Sequence, residues 1–261
     1  MDMREQALYA LALNQIDDKI QAVEQLAKSL DYSLDTQAII HAQQSLPGRP
    51  ARPELVPPQQ VNFRSAHTAE GRIALLHSIA HIEFNAINLA LDIMWRFADM
   101  PEQFYRDWLR VAQEETYHFS LIRAHLQSLG ADYGDLSAHN GLWDMAEKTR
   151  DDILARLGLV PRTLEARGLD VTPGIQERLR QAGDMEAVAI LDIILRDEIG
   201  HVEIGNRWYK YKCEKQQLDP VQCYADLLIK YGVSAPKGPF NLEARSQAGF
   251  SQAEIDWLKS L

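Results

Sequence analysis

The chain contains only two cysteines, Cys213 and Cys223, among 261 residues. That excludes a disulfide scaffold and any zinc site built from cysteine. Basic residues are in deficit, with 27 Lys and Arg against 37 Asp and Glu, a formal charge of −10. A chain of that sign is a poor general binder of naked nucleic acid or anionic membrane, both of which are densely negative. No window of about 18 uncharged apolar residues occurs, so no membrane-spanning helix is expected. The opening residues, MDMREQALYA, lack a basic head followed by an apolar run. No signal peptide is therefore expected, and the cytoplasm is the expected location. Low-complexity tracts and strand-like alternation rich in Val, Ile and Thr are also missing. What remains is an ordinary globular composition, 46% apolar and 25% charged, with length for one large domain or two small ones.

Apolar residues recur at spacings of three and four along most of the chain, which predicts an all-α fold. Residues 3–30 read as one helix, with Leu8, Leu11, Ile16, Ile20, Val23 and Leu26 on its apolar side. Residues 46–61, LPGRPARPELVPPQQV, hold five of the eleven prolines and cannot form a regular helix, so they read as an extended strap. Four helical stretches follow, at 69–98, 101–129, 142–167 and 175–212. The third is interrupted by Gly158 and Pro161 and is expected to kink or split. A loop carries APKGPFN (235–241), and Ser251 with Glu254 is spaced as a capping box that opens a short last helix. The architecture expected is a four-helix bundle over 67–215, preceded by a helical segment and Pro-rich strap over 1–66 and followed by a C-terminal helical tail over 216–261 packed on the bundle.

Two short motifs carry the chemistry, Glu115-Thr-Tyr-His118 and Glu198-Ile-Gly-His201. A Glu and a His three apart on a helix project about 60° from one another, so both reach one cation. Glu115 and His118 fall in the stripe of Phe104, Trp108, Val111, Ile122 and Leu126, while Glu198 and His201 fall with Leu191, Ile194, Gly205 and Tyr209. Glu83 lies likewise among Leu76, Ile79, Ile87 and Met94, where an ionised carboxylate is costly unless a cation answers it. His81 falls on the opposite face, so Glu83 is the preferred ligand. For the fourth element, Glu165 precedes Glu198 by 33 residues, as Glu83 precedes Glu115 by 32. Glu147 and Asp151 compete with it, and Glu186 is excluded because it shares a helix with Glu198. The two halves then superimpose with an offset of 82–83 residues: Glu83 on Glu165, Glu115 on Glu198, His118 on His201. One Glu from each of two helices and Glu-x-x-His from each of two others is the carboxylate-bridged dimetal set of ferritin-like bundles. Oxygen-rich ligation with two imidazoles suits iron, with manganese or a mixed Mn/Fe pair as the alternatives.

Other residues read more plainly. Glu114 is turned off the stripe, Asp197 is either an orienting carboxylate or an exposed one, and His77, His125, Tyr117 and Tyr209 read as packing residues. The run RWYKYKCEK (207–215) interleaves cations and aromatics as an RNA-stacking surface would, yet cations near a helix C-terminus also complement its dipole. The helix-terminus reading is preferred given the net charge.

The segments LHSIAHIEFNAINLALD, AQEETYHF, LEARGLDVTPG, ILRDEIGHVEIGNRWY and KGPFNLEARSQAGF, with the strap PGRPARPELVPP, resemble the ferritin-like family catalogued as domain of unknown function 455. That family is a relative of the tRNA-modifying monooxygenase that hydroxylates an isoprenylated adenosine, which lacks the strap and the APKGPFN tail. The resemblance covers nearly the whole chain. It implies a ferritin-like bundle with a di-iron site at Glu83, Glu115, His118, Glu165, Glu198 and His201, and it implies no substrate. The expected function is an oxygen-dependent di-iron oxidoreductase, a monooxygenase or oxidase, acting on a small molecule or modified nucleoside with an electron donor. A non-catalytic iron-handling protein is the alternative, and a metal-free helical interaction module is the third reading. A homo-oligomer is compatible with each.

Overall fold

The computed structural model describes residues 2–29, 32–61 and 65–260. Among them every regular element is a helix, and pairing of extended backbone is confined to two isolated bridges, so the chain is all-α as expected. It divides into two compact units, Met1–Gly141 and Leu142–Leu261.

The first unit is built on a helical hairpin, α3 (Ala69–Arg96) and α4 (Glu102–Ser128), preceded by α1 (Met3–Ala12) and α2 (Ile16–Lys28). Thr68 caps α3 by accepting from the Gly71 N–H at 3.0 Å. From Glu83 to Trp95 every residue of α3 is buried, which makes it the central rod of the unit. It is long and apolar enough to cross a membrane by length and composition, but 72% of its most apolar window is buried within the protein, as in a core helix. Its C-terminal carbonyls are capped from a distance: Arg4 donates to Met94 O at 3.3 Å and Trp95 O at 2.9 Å.

The single helix expected over 3–30 is in fact two, and residue 30 lies outside the described residues. In a continuous helix Leu11 O would accept from Gln15 N. Here it accepts instead from Gly48 N at 2.9 Å and from Lys19 Nζ at 2.9 Å, so the strap and α2 end α1 by taking its last carbonyls. Gly48 is required there, because a Cβ would sit 2.1 Å from Ala12 O. The strap itself is irregular, with one 3-10 turn at Pro58–Gln60 and a bridge from Leu55 to Ala138.

The second unit corrects two of the expected boundaries. The stretch 142–167 breaks into α5 (Gly141–Lys148, entering from the first unit), α6 (Ile153–Leu159) and a π-helical turn, Val160–Glu165. The helix expected to start at 175 starts at Met185: α7 (Ala166–Gln181) occupies the intervening chain, and α8 runs Met185–Lys215. Pro173 and Gly174 look like a helix boundary, yet α7 passes through them. The carbonyl that Pro173 cannot reach, Leu169 O, accepts from Asn241 Nδ2 at 3.2 Å. The tail thus supplies the bond the proline withholds. It continues as α9 (Pro220–Tyr231), α10 (Leu242–Gln247) and α11 (Gln252–Lys259), the last opened by the expected Ser251/Glu254 capping box.

Glu254 does more than cap. Its Oε1 lies 2.7 Å from Arg162 on the π turn, both side chains being nearly inaccessible. Arg162 also donates to Asn206 Oδ1 at 2.7 Å and lies over the rings of Tyr209, Tyr224 and Phe250. Burial alone would raise the Glu254 carboxyl, but Arg162, the Ser251 donors and Lys210 hold it below the usual range. A carboxylate depressed in the folded state stabilises above its unfolded pKa and loses that contribution as pH falls through the folded value. Glu254→Gln, which strands a buried guanidinium, is expected to cost about 3–5 kcal/mol. Denaturant unfolding of the variant and of the parent across acid pH checks both: the parent should lose stability on acidification, and the variant should lose less of it.

Candidate metal centre

In the first unit Glu83 comes from the middle of α3, and Glu115 and His118 lie one turn apart on α4. Each offers a ligand atom within 4.8 Å of those of the other two. His118 Nδ1 lies 3.4 Å from Glu83 Oε2 and 3.5 Å from Glu115 Oε2. Glu115 and His118 are fully buried, and Glu83 is 4% exposed. The flanking residues Phe84 and Phe119, with ring centroids 5.3 Å apart, close the hairpin beside them. Burial disfavours the charged imidazole, yet Glu115 and Glu83 outweigh it and hold His118 up at about 11. The two carboxylates therefore attract positive charge strongly at this position.

In the second unit Glu198 and His201 stand one turn apart on α8, with His201 Nδ1 3.6 Å from Glu198 Oε1. His201 is fully buried. Glu165 is the last residue of the π turn and is half-buried, whereas its competitors Glu147 and Asp151 are exposed. The π turn packs on α8 so tightly that a Cβ at Gly205 would lie 2.5 Å from Pro161 Cβ. A π insertion shifts every later side chain around the helix axis, and such insertions recur at functional sites. Thr163 Oγ1 donates to Gly158 O at 2.8 Å and so satisfies a carbonyl in the widened turn.

The remaining candidates lie elsewhere. His81 Nδ1 meets Tyr133 OH and its Nε2 meets His139 O, each at 2.9 Å, away from Glu83. His77 Nε2 accepts from Gly134 N at 2.9 Å, a satisfied core histidine. His125 contacts Ser128 within α4. Glu114 pairs with Arg110 and Asp197 with Arg196. Glu186 shares α8 with Glu198, as expected, and is exposed. Tyr117 is exposed, and Tyr209 donates to Pro220 O. In the run 207–215, Arg207 pairs with Glu203, Lys210 with Glu254, and Lys215 lies over Tyr211. Arg162 escaped the sequence reading because a lone arginine in PRTLE carries no spacing signal; only the fold shows that it anchors the turn bearing Glu165.

The donor set suits a divalent cation. Two carboxylates and one imidazole, buried and within reach of one ion, offer hard oxygen and borderline nitrogen donors without thiolate, which favours iron or manganese. Fe(II) or Mn(II) added to chelator-treated protein should raise Tm, by linkage about 2.7 kcal/mol at a hundredfold excess over Kd. Glu115→Ala should abolish that rise and lower the metal content, while His81→Ala should leave the metal stoichiometry intact. Elemental analysis with thermal melts checks this, and equal metal content in Glu115→Ala and the parent would refute the assignment.

A family profile described as "Protein of unknown function (DUF455)" matches residues 12–256. A relative from Haemophilus influenzae, named "Uncharacterized protein", is 54% identical over 223 residues, covering 83% of this chain and 77% of the relative. No solved structure matches.

Proposed function

The chain belongs to the DUF455 family, and from that premise we propose that it is an oxygen-dependent di-iron oxidoreductase of ferritin-like type. Glu83, Glu115 and His118 would hold one metal ion, and Glu165, Glu198 and His201 would hold the second. The observation that carries the reading is the buried convergence of Glu83, Glu115 and His118. The second half is supported by the sequence offset of 82–83 residues and by the same Glu-x-x-His geometry on α8. Charge supports it as well, because four carboxylates and two neutral imidazoles balance two divalent cations.

Two ferrous ions held there would supply two electrons toward dioxygen reduction, and the external donor or substrate would supply the rest. The protein's own part is to fix the ligands on long helices and to keep water from the centre. Phe84 and Phe119, packed beside the ligands of the first half, serve that exclusion. The substrate class is a small molecule or modified nucleoside, with an external electron donor. The two free thiols fit a reducing, cytoplasmic setting.

Anaerobic loading with Fe(II) followed by oxygen exposure tests the reading. Two irons per chain and rapid oxygen uptake are expected, with both reduced in Glu115→Ala and in Glu198→Ala. Unchanged iron content in both variants would overturn the site. Two irons without turnover of any reductant would favour the iron-handling alternative.

A further inference from the structure

Lys19 is fully buried, and all three of its hydrogen bonds go to neutral acceptors: Leu11 O at 2.9 Å, Gly48 O at 3.2 Å and Asn88 Oδ1 at 2.6 Å. Its ammonium also lies 5.6 Å from the centre of the Phe84 ring. An ammonium has three N–H groups, so the three acceptors fit its charged form. Burial, with the charge of Arg49 second, nevertheless pulls the amine down to about 7. A buried cation hydrogen-bonded only to neutral groups, with a second cation nearby, is a costly arrangement unless an anion answers it.

The place for that anion adjoins it. A cavity of ≈ 70 Å³ lies between the strap and α3, lined by Arg49 and strap prolines, by Phe84, Asn85 and Asn88, and by Tyr133. Among the described residues no aspartate or glutamate lines it. Two of its walls, Asn88 and Phe84, are the groups that Lys19 touches, and Gly48 lies between the lining residues Pro47 and Arg49. His81, also in the lining, adds no charge. Its Nδ1 meets Tyr133 OH, its Nε2 meets the His139 carbonyl and the Asn85 amide, and burial holds the ring down at about 4. Because Asn88 Oδ1 accepts from Lys19, the N–H groups are what this amide offers as further donors.

We propose that this cavity binds a small oxyanion, a single carboxylate or phosphate group, held by the Arg49 guanidinium and the Asn88 amide with the Lys19 ammonium behind them. A guanidinium fork matches either oxyanion with two parallel hydrogen bonds. The volume admits one such group. The site is separate from the candidate metal ligands, since His81 and Glu83 are about 200° apart around α3. The proposal therefore stands or falls independently of the metal reading.

The test uses the full chain at about pH 6, where Lys19 is charged. Sodium phosphate and sodium acetate are each titrated against sodium chloride at matched ionic strength, with binding read by calorimetry and by Tm. A saturable Tm rise with either oxyanion over chloride is expected, and whichever binds more tightly identifies the group as phosphate or carboxylate. Arg49→Met should weaken binding about tenfold or more while melting like the parent in chloride. Arg49→Lys, which keeps the charge and loses the fork, should fall between the two and serves if Arg49→Met does not fold. No effect of either oxyanion beyond chloride, or undiminished binding in both Arg49 variants, would overturn the proposal.

Discussion

Two carboxylates buried against one imidazole, between α3 and α4, are the constraint around which the first unit is built. A charge removed from water costs several kcal/mol even after the protein relaxes. Glu83 and Glu115 are there because the hairpin around them is apolar enough to meet that cost. Glu83 to Trp95 form an uninterrupted buried stretch, and Trp108, Val111, Phe119 and Ile122 face it from α4. His118 shows how strong the resulting field is, since its imidazole is held charged in a place where burial alone would keep it neutral. A helix hairpin suits this task because its side chains are set by backbone geometry and do not depend on loop conformation.

In the second unit the recurring problem is proline. Pro161 and Pro173 each withhold a backbone donor inside helical chain, and the structure answers each differently. At Pro161 the helix widens into a π turn, packs its ring against the bare Cα of Gly205, and satisfies Gly158 O with the Thr163 hydroxyl. At Pro173 the helix stays regular, and Asn241 crosses from the tail to bond Leu169 O. Arg245 joins it there, donating to Asp170 at 2.6 Å in a buried pair. Further along the tail, Glu254 clamps Arg162 on the π turn. The C-terminal tail is thus a set of polar braces for two imperfect helices, one of which begins just after Glu165.

Much of this was legible in the residues. The helices over 69–98 and 101–129 follow from unbroken apolar periodicity bounded by Thr68 and Pro101, and the structure moves their ends by only a residue or two. Both Glu-x-x-His pairs were visible because ligand spacing and helix period coincide. What was not legible depends on long-range partners. The α1–α2 break lies in chain that is locally good helix, and it exists because Gly48, more than thirty residues away, competes for Leu11 O. The run of α7 through Pro173 was hidden for the opposite reason: a local stop signal is overruled by Asn241. The π turn was foreseen only as a disturbance near Pro161, since periodicity carries no information about the phase after an insertion. Arg162 was missed outright, because its partner Glu254 looked like a capping residue and nothing more.

The division of charge around α3 ties these features together. Its acid, Glu83, and the amide that holds Lys19, Asn88, differ by five residues, about 140° around the helix. Were the ammonium on the side of the acid, the two would neutralise each other in a buried ion pair. The carboxylates would then have little need of a metal, and the strap would cover an uncharged surface. Instead Lys19 is tied by three neutral acceptors to α1, to the strap and to α3, while Glu83 faces Glu115 and His118. The buried acids, with the charged imidazole between them, and the buried ammonium thus lie on different sides of one helix. A buried charge is costly without a counter-charge, so a ligand of the opposite sign would be held more strongly at either place than at the surface.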